Sequence, residues 1–197
     1  MLGSALLSRH AEAWRAATSH PFLDGVREGT LAPAAFATWL EQDYHFVGDL
    51  LSFQARLLAL APRPAQAVLA GGLVALESEL SWYEAVAERD RLNLAAPRHA
   101  TTEAYRAELG GLLDEGFAVA ITGLWALELT YLVAWQGAAP GAGRYREFVE
   151  HWTAAGFADY VAGLEKHVDD SPAAEAAFVR VLRLEREFWE MAMGGPG

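Results

Sequence analysis

Three carboxylates stand at positions where the surrounding pattern would place apolar side chains. Asp43 lies on a helical stripe with residues such as Leu40 and Leu50, and Glu128 and Glu185 interrupt similar stripes elsewhere in the chain. Because an unpaired buried carboxylate is costly, each one must be paired, hydrogen-bonded, protonated or directed into a polar cavity, and any of these shifts its pKa. Such carboxyl groups serve general acid–base catalysis and the recognition of basic heterocycles. One alone is more simply explained as an acceptor for a neighbouring side chain or helix end, but three on separate helices favour a shared site.

Aromatic residues surround these carboxylates along the sequence and could form the walls for a flat ligand. Core packing is the ordinary role of most of them. Tyrosines are the better candidates, because their hydroxyl groups need a partner when buried. The residues with a candidate binding role are Phe46, Tyr105, Tyr131 and Trp152.

Several other chemistries find no support in the sequence. The six histidines are scattered, and no Glu-x-x-His pair is present to build the carboxylate-bridged metal site of a helical bundle, so we expect no metal and no cofactor. There is no cysteine, no phosphate-binding loop, no dinucleotide-binding fingerprint and no Gly-x-Ser-x-Gly motif. A run of glutamates is expected to form a solvated helix face: Glu77, Glu79, Glu84 and Glu88.

Charge and hydropathy limit the partners of the chain. A formal net charge of −11 creates a field that repels phosphate backbones and anionic lipid headgroups, so nucleic acids and membrane surfaces are disfavoured. The most apolar run, residues 117–135, contains Glu128, and a carboxylate at mid-membrane depth is costly, so this segment is predicted to be a buried core helix. The absence of cysteine and of a visible export signal leads us to expect a cytoplasmic protein.

The elements that must position these residues are predicted to be helices throughout. Apolar residues recur at three- and four-residue intervals, strand signals are scarce, and Pro and Gly mark the ends of the segments. No linker or repeat divides the chain, so we expect one domain over residues 1–197, an all-α bundle of many helices around one core. The predicted helices are residues 2–17, 22–27, 33–61, 64–92, 101–113, 116–135, 145–152, 157–167 and 172–193.

Several strings together resemble the TenA/thiaminase II family. They are the segment His20-Pro-Phe-Leu-Asp-Gly-Val-Arg-Glu-Gly-Thr-Leu, the string Gln42-Asp43-Tyr44 and the ending Glu185-Arg-Glu-Phe188-Trp189-Glu-Met-Ala192, with weaker similarity at Glu79-Leu-Ser-Trp82-Tyr83. The resemblance covers most of the chain. It implies a haem-oxygenase-like helical fold without haem, a homo-oligomer, and hydrolysis of a C–N bond in thiamin or its pyrimidine breakdown products.

The resemblance also implies roles for individual residues. Asp43 would hold the aminopyrimidine ring, and Glu185 would serve acid–base chemistry. The commonest branch of the family attacks with a cysteine in the central helix, whereas this chain has Glu128 there and resembles the branch that lacks the cysteine. Tyr131 would match a family tyrosine, and Trp152 would stand where the other branch has another.

The function expected on these grounds is hydrolysis of a formylated or aminomethylated aminopyrimidine in thiamin salvage. With no thiol, Glu185 and Glu128 would activate water and protonate the leaving amine, with pKa values pushed apart by their surroundings. Two alternatives remain open. One is a non-catalytic heterocycle-binding or regulatory protein with the same pocket, and the other is a redox or cofactor-handling relative with the same fold.

Overall fold

A computed structural model describes residues 2–194, and within this range the chain forms helices and no strand. The prediction of an all-α fold is therefore confirmed. A 3₁₀ turn, Gly143–Tyr145, precedes the eighth helix. The α-helices are α1 Leu2–Arg9, α2 Ala11–Thr18, α3 Pro21–Glu28, α4 Pro33–Leu60, α5 Arg63–Asp90, α6 Ala100–Asp114, α7 Phe117–Ala138, α8 Arg146–Trp152, α9 Ala155–Glu165 and α10 Pro172–Ala192.

Most helix boundaries follow from local sequence signals. Pro33 occupies the first turn of α4, where its missing N–H is no loss. Gly29 ends α3 in the left-handed conformation, with φ of +75°, which a residue with a Cβ adopts only with strain. Ser171 caps α10, and its side chain accepts a hydrogen bond from the Ala174 N–H.

Several predicted boundaries differ from the structure by one to three residues, the first predicted helix is divided in two, and two of these differences have a visible cause. The first predicted helix is divided at His10, whose φ of −115° and ψ of 33° are not helical. In a continuous helix, side chains at adjacent positions point about 100° apart. The bend at His10 lets Arg9 and His10 both bind Glu175, at 2.9 and 2.7 Å. The sixth helix begins one residue earlier than predicted, because the His99 ring accepts a hydrogen bond from the Thr101 N–H and acts as the cap.

The apolar helix α7 lies at the centre of the bundle. It packs against α10, α9, α2 and α3, while α4 packs along α5 and α6. Among the described helices, only α7 is long and apolar enough to cross a membrane, but 72% of its most apolar window is buried inside the protein. The helix α7 is therefore a buried core helix, as predicted from the presence of Glu128 within the apolar run.

A cluster of four tryptophans joins four of the helices in the core. The Trp39 ring on α4 lies 5.2 Å from that of Trp135, 5.1 Å from that of Trp152 and 5.8 Å from that of Trp189, measured between centroids. All four are nearly inaccessible to solvent. Large rings in mutual contact have few alternative packings. The cluster therefore holds α4, α7, α8 and α10 at fixed separations where these rings meet.

Candidate active site

A cavity of about 240 Å³ opens between α4, α5, α7, α8 and α9. Its walls are mostly apolar, and its described lining contains three carboxylates but no Lys or Arg. This combination favours a flat, neutral or positively charged molecule over an anion. The polar and aromatic lining residues are Asp43, Phe46, Glu79, Glu128, Tyr131, His151, Trp152, Phe157 and Tyr160.

Asp43 is buried in α4 and is held by two tyrosines. The hydroxyl of Tyr83, on α5, donates a short hydrogen bond to Oδ2, and the hydroxyl of Tyr131, on α7, approaches the same oxygen at 3.4 Å. Burial raises the pKa of Asp43 to about 7; the negative charge of Glu79 adds to the rise, and the tyrosine hydrogen bonds oppose it. Within the described residues, Oδ1 has no hydrogen-bond partner and is available to a ligand.

Glu128, on α7, lines the same cavity and is 6% exposed. No side chain or backbone group within residues 2–194 makes a hydrogen bond to its carboxyl group. Burial raises its pKa to about 8, with further contributions from the negative charges of Glu185, Glu79 and Asp43. Glu128 is thus a buried acid whose only polar environment is the cavity itself.

Glu185 lies behind the cavity in a small chamber. Its Oε1 accepts a hydrogen bond of 2.5 Å from the buried hydroxyl of Tyr105. The chamber measures about 10 Å³, which is room for about one water molecule, and it shares Asp43 and Tyr131 with the main cavity. Burial raises the pKa of Glu185 to about 8, although the Tyr105 hydrogen bond opposes the rise.

The predicted separation of the two glutamate pKa values is not what the structure shows, because both are raised to about 8. The physical cause is the same for both: each carboxyl group is buried in apolar surroundings. The negative charge of Glu185 also disfavours the ionised form of Glu128. Two such groups lose their protons one after the other, so one acid and one base coexist over an interval of pH.

The outer wall of the main cavity carries another carboxylate, Glu79, which was predicted from the sequence to be exposed to solvent. Glu79 lines the cavity, and its two oxygens contact α8: Oε1 accepts the Trp152 indole N–H at 2.8 Å, and Oε2 lies 2.7 Å from His151 Nε2. The His151 ring stacks on Trp82, with centroids 4.0 Å apart. The expectation of a solvated face is wrong for Glu79, while Glu77, Glu84 and Glu88 are exposed.

The predicted site residues do lie together, in two adjoining compartments. Glu128 and Trp152 line the main cavity, Glu185 and Tyr105 line the rear chamber, and Asp43, Phe46 and Tyr131 border both. Sequence reasoning missed Glu79, Tyr83 and His151 as members of the site. Within residues 2–194, no group of three or more His, Asp or Glu side chains is placed to hold a metal ion.

Two of the missed residues, Glu79 and Tyr83, could have been found from the residue spacing on α5. Gly72, Leu76, Glu79 and Tyr83 are spaced four, three and four residues apart and therefore share one helix face. Glu79 interrupts that face as Asp43 interrupts its own. The neighbouring Glu77 is two residues away, about 200° around the helix, and lies on the opposite face. For this reason the acidic run as a whole was predicted to be a solvated surface.

Comparison with known families identifies the family of the chain. The model of the TENA/THI-4/PQQC family matches residues 7–195. The chain belongs to this family. Its TenA-like character, inferred from the Gln-Asp string and the Glu-x-x-Phe-Trp ending, is therefore confirmed.

Individual relatives match over nearly their whole length. A "probable bifunctional TENA-E protein" of Glycine max is 30% identical, with 95% of this chain and 91% of that protein covered. An "aminopyrimidine aminohydrolase" of Halalkalibacterium halodurans is 27% identical, with 96% and 94% covered. The crystal structure of a TenA homologue from Pyrococcus furiosus, 27% identical, superposes with a TM-score of 0.92 and covers 98% of this chain and all of its own.

Proposed function

We propose that the protein is a hydrolase that cleaves a C–N bond, amide or amine, of an aminopyrimidine derived from thiamin. The observation that carries this proposal is Glu128, a buried carboxyl group with no hydrogen-bond partner within residues 2–194, lining a cavity beside Asp43. The TENA-E and aminopyrimidine aminohydrolase relatives support a hydrolase of this class.

Asp43 is suited to hold the aminopyrimidine ring. Two tyrosine hydroxyls fix Oδ2, so the orientation of the carboxyl plane is set before a ligand arrives. An aminopyrimidine presents an amino N–H beside a ring nitrogen, and a carboxyl group can pair with both positions at once. With its pKa raised to about 7, Asp43 shares a proton with the ring nitrogen readily near neutral pH.

Glu128 and Glu185 are suited to the hydrolytic step. An ionised carboxylate takes a proton from water while the water oxygen attacks the carbon bound to nitrogen. The C–N bond then breaks, its electron pair goes to nitrogen, and the protonated carboxyl group supplies the proton that the leaving amine needs. An aminomethyl substrate yields an alcohol and ammonia, and a formylated amine yields formate and the free amine. Because the two glutamates lose their protons in sequence, one can act as the acid while the other acts as the base.

The test uses two isosteric variants, Glu128→Gln and Glu185→Gln, with deamination of the aminomethylpyrimidine and deformylation of the formyl derivative as assays. We expect each variant to lose about 100-fold or more in kcat, the size typical of a lost general acid or base. Glu187→Gln, on the same helix as Glu185 and 30% exposed, is the control. Full activity in either of the first two variants would remove that residue from the mechanism.

The same measurements separate a hydrolase from a heterocycle-binding protein. A thermal-shift screen of pyrimidines, followed by analysis of the products, tells binding from turnover. Binding by the unmodified protein without any product would replace the hydrolase proposal with the binding role.

A further inference from the structure

Glu79 joins two helices at the outer wall of the cavity. It lies on α5, and both of its partners lie on α8: the Trp152 indole N–H at 2.8 Å and His151 Nε2 at 2.7 Å. An ionised carboxylate only accepts hydrogen bonds, so Nε2 of His151 carries the hydrogen. Both carboxylate oxygens of Glu79 are thus engaged, and its orientation is fixed.

Each partner of Glu79 is held from a second side. The Trp152 ring lies 4.4 Å from that of Trp135 and 5.1 Å from that of Trp39, between centroids. The His151 ring stacks on Trp82 at 4.0 Å with the planes 8° apart. The hydrogen bond from Trp152 therefore selects one orientation of a ring that forms a wall of the cavity.

The charge of Glu79 lies close enough to the reacting groups to affect them. It raises the pKa of Asp43 and of Glu128, beyond the effect of burial. The titratable groups that share this part of the molecule come from every neighbouring helix. They are Asp43 on α4, Tyr83 on α5, Glu128 and Tyr131 on α7, His151 on α8, Tyr160 on α9 and, in the adjoining chamber, Glu185 on α10.

We propose that Glu79 is a positioning residue of the hydrolytic site, which fixes the Trp152 wall by its hydrogen bond and places a negative charge in the same cavity as Asp43 and Glu128. This inference rests on the proposed function for its kinetic consequence. The hydrogen bonds to α8 and the place of Glu79 in the cavity are independent of that function.

The two effects of Glu79 are separable by substitution. Glu79→Gln keeps an oxygen that accepts the Trp152 N–H and an amide that can bond His151 in its other tautomer, but it removes the charge. Glu79→Leu removes both the charge and the hydrogen bonds. Glu84→Gln is the matched control, because Glu84 is an exposed glutamate of the same helix that accepts a hydrogen bond from Tyr44 instead.

For Glu79→Gln we expect the whole pH–rate profile to move toward acid by about 0.5 to 1 pH unit, with KM nearly unchanged. For Glu79→Leu we expect the same displacement and, in addition, a KM about tenfold higher, because the Trp152 wall loses its anchor. Glu84→Gln should leave both quantities unchanged. An unmoved profile in Glu79→Gln would overturn the electrostatic role, and an unchanged KM in Glu79→Leu would overturn the anchoring role.

A second measurement decides the electrostatic role even if the protein proves not to be a hydrolase. The free energy of unfolding, measured in urea between pH 4 and 9, reports the ionisation of the buried carboxyl groups without any substrate. Losing the Glu79 charge should let those groups ionise at lower cost, so Glu79→Gln should lose less stability between pH 6 and 8 than the unmodified protein. Parallel curves for the two proteins would refute the electrostatic role regardless of turnover.

Discussion

Replacing Glu128 by Gln should stabilise the protein at alkaline pH and leave its stability at acid pH nearly unchanged. The pKa of Glu128 is raised from 4.5 to about 8, so the folded state holds a proton that the unfolded state has already released. A raised pKa contributes stability that is fully present below pH 4.5 and is lost as the pH rises to about 8. Gln carries no ionisable proton, so the variant avoids that loss.

The size of the effect follows from the pKa shift. One pH unit corresponds to about 1.4 kcal/mol, so the full displacement is worth about 5 kcal/mol as an upper limit. Local relaxation and entry of water into the cavity reduce the cost of ionisation, and we expect a gain of about 2 to 4 kcal/mol above pH 8. For a chain of this length, this gain corresponds to a rise in Tm of about 5 to 15 °C.

The assay is urea unfolding of the variant and the unmodified protein at pH 4.5, 6, 7 and 8.5. The two curves of stability against pH should meet at the acid end and diverge above pH 6. Glu12→Gln, at an exposed position of α2, is the control and should follow the unmodified protein at every pH. If Glu128→Gln also runs parallel to the unmodified protein, the carboxyl group is ionised at little cost in the folded state, and the inference that burial raises its pKa is refuted.

Three further predictions test separate features of the site. Tyr105→Phe removes a hydrogen bond that lowers the pKa of Glu185, so the acid limb of the pH–rate profile should move up by about one pH unit; an unmoved limb would mean that this carboxyl group does not act as the base. A phosphate ester of the aminopyrimidine should compete for binding about 100-fold more weakly than the free alcohol, because the cavity lining has three carboxylates and no Lys or Arg, and equal competition by both would contradict that electrostatic picture. Gly72→Ala should cost about 1 to 3 kcal/mol in urea unfolding, since its Cβ would lie 2.1 Å from Gln54 Nε2, whereas Gly71→Ala meets nothing within 4 Å and should cost nothing.

The fold was predictable because nearly every helix is specified by local signals. The proline at Pro33, the glycine at Gly29 and the serine at Ser171 each mark an end that the structure confirms. The break at His10 was not predictable, because its cause is a long-range contact: Arg9 and His10 both reach Glu175, more than 160 residues away in sequence. A helix pattern read from one segment carries no information about such a partner.

The site was also predictable in part from local sequence patterns. Asp43, Glu128 and Glu185 each interrupt an apolar helix face, and the structure places all three in adjoining compartments. Glu79 interrupts a face as well, but the acidic residues around it conceal the interruption. His151 gave no signal, since its role depends on which helix lies opposite α8.

The grouping of carboxyl groups has a chemical consequence that a single one would lack. A lone buried glutamate with a raised pKa is only an acid near neutral pH. In this protein Glu185 and Glu79 add their negative charges to the burial of Glu128, so each ionisation makes the next one harder. Burial raises the pKa of Asp43 to about 7 and those of Glu128 and Glu185 to about 8, so these groups change from protonated to ionised as the pH rises from about 7 to 8. The proposed hydrolysis of a C–N bond needs both forms at once, one for the water and one for the leaving amine, and within that range of pH the cluster would supply them without a cysteine.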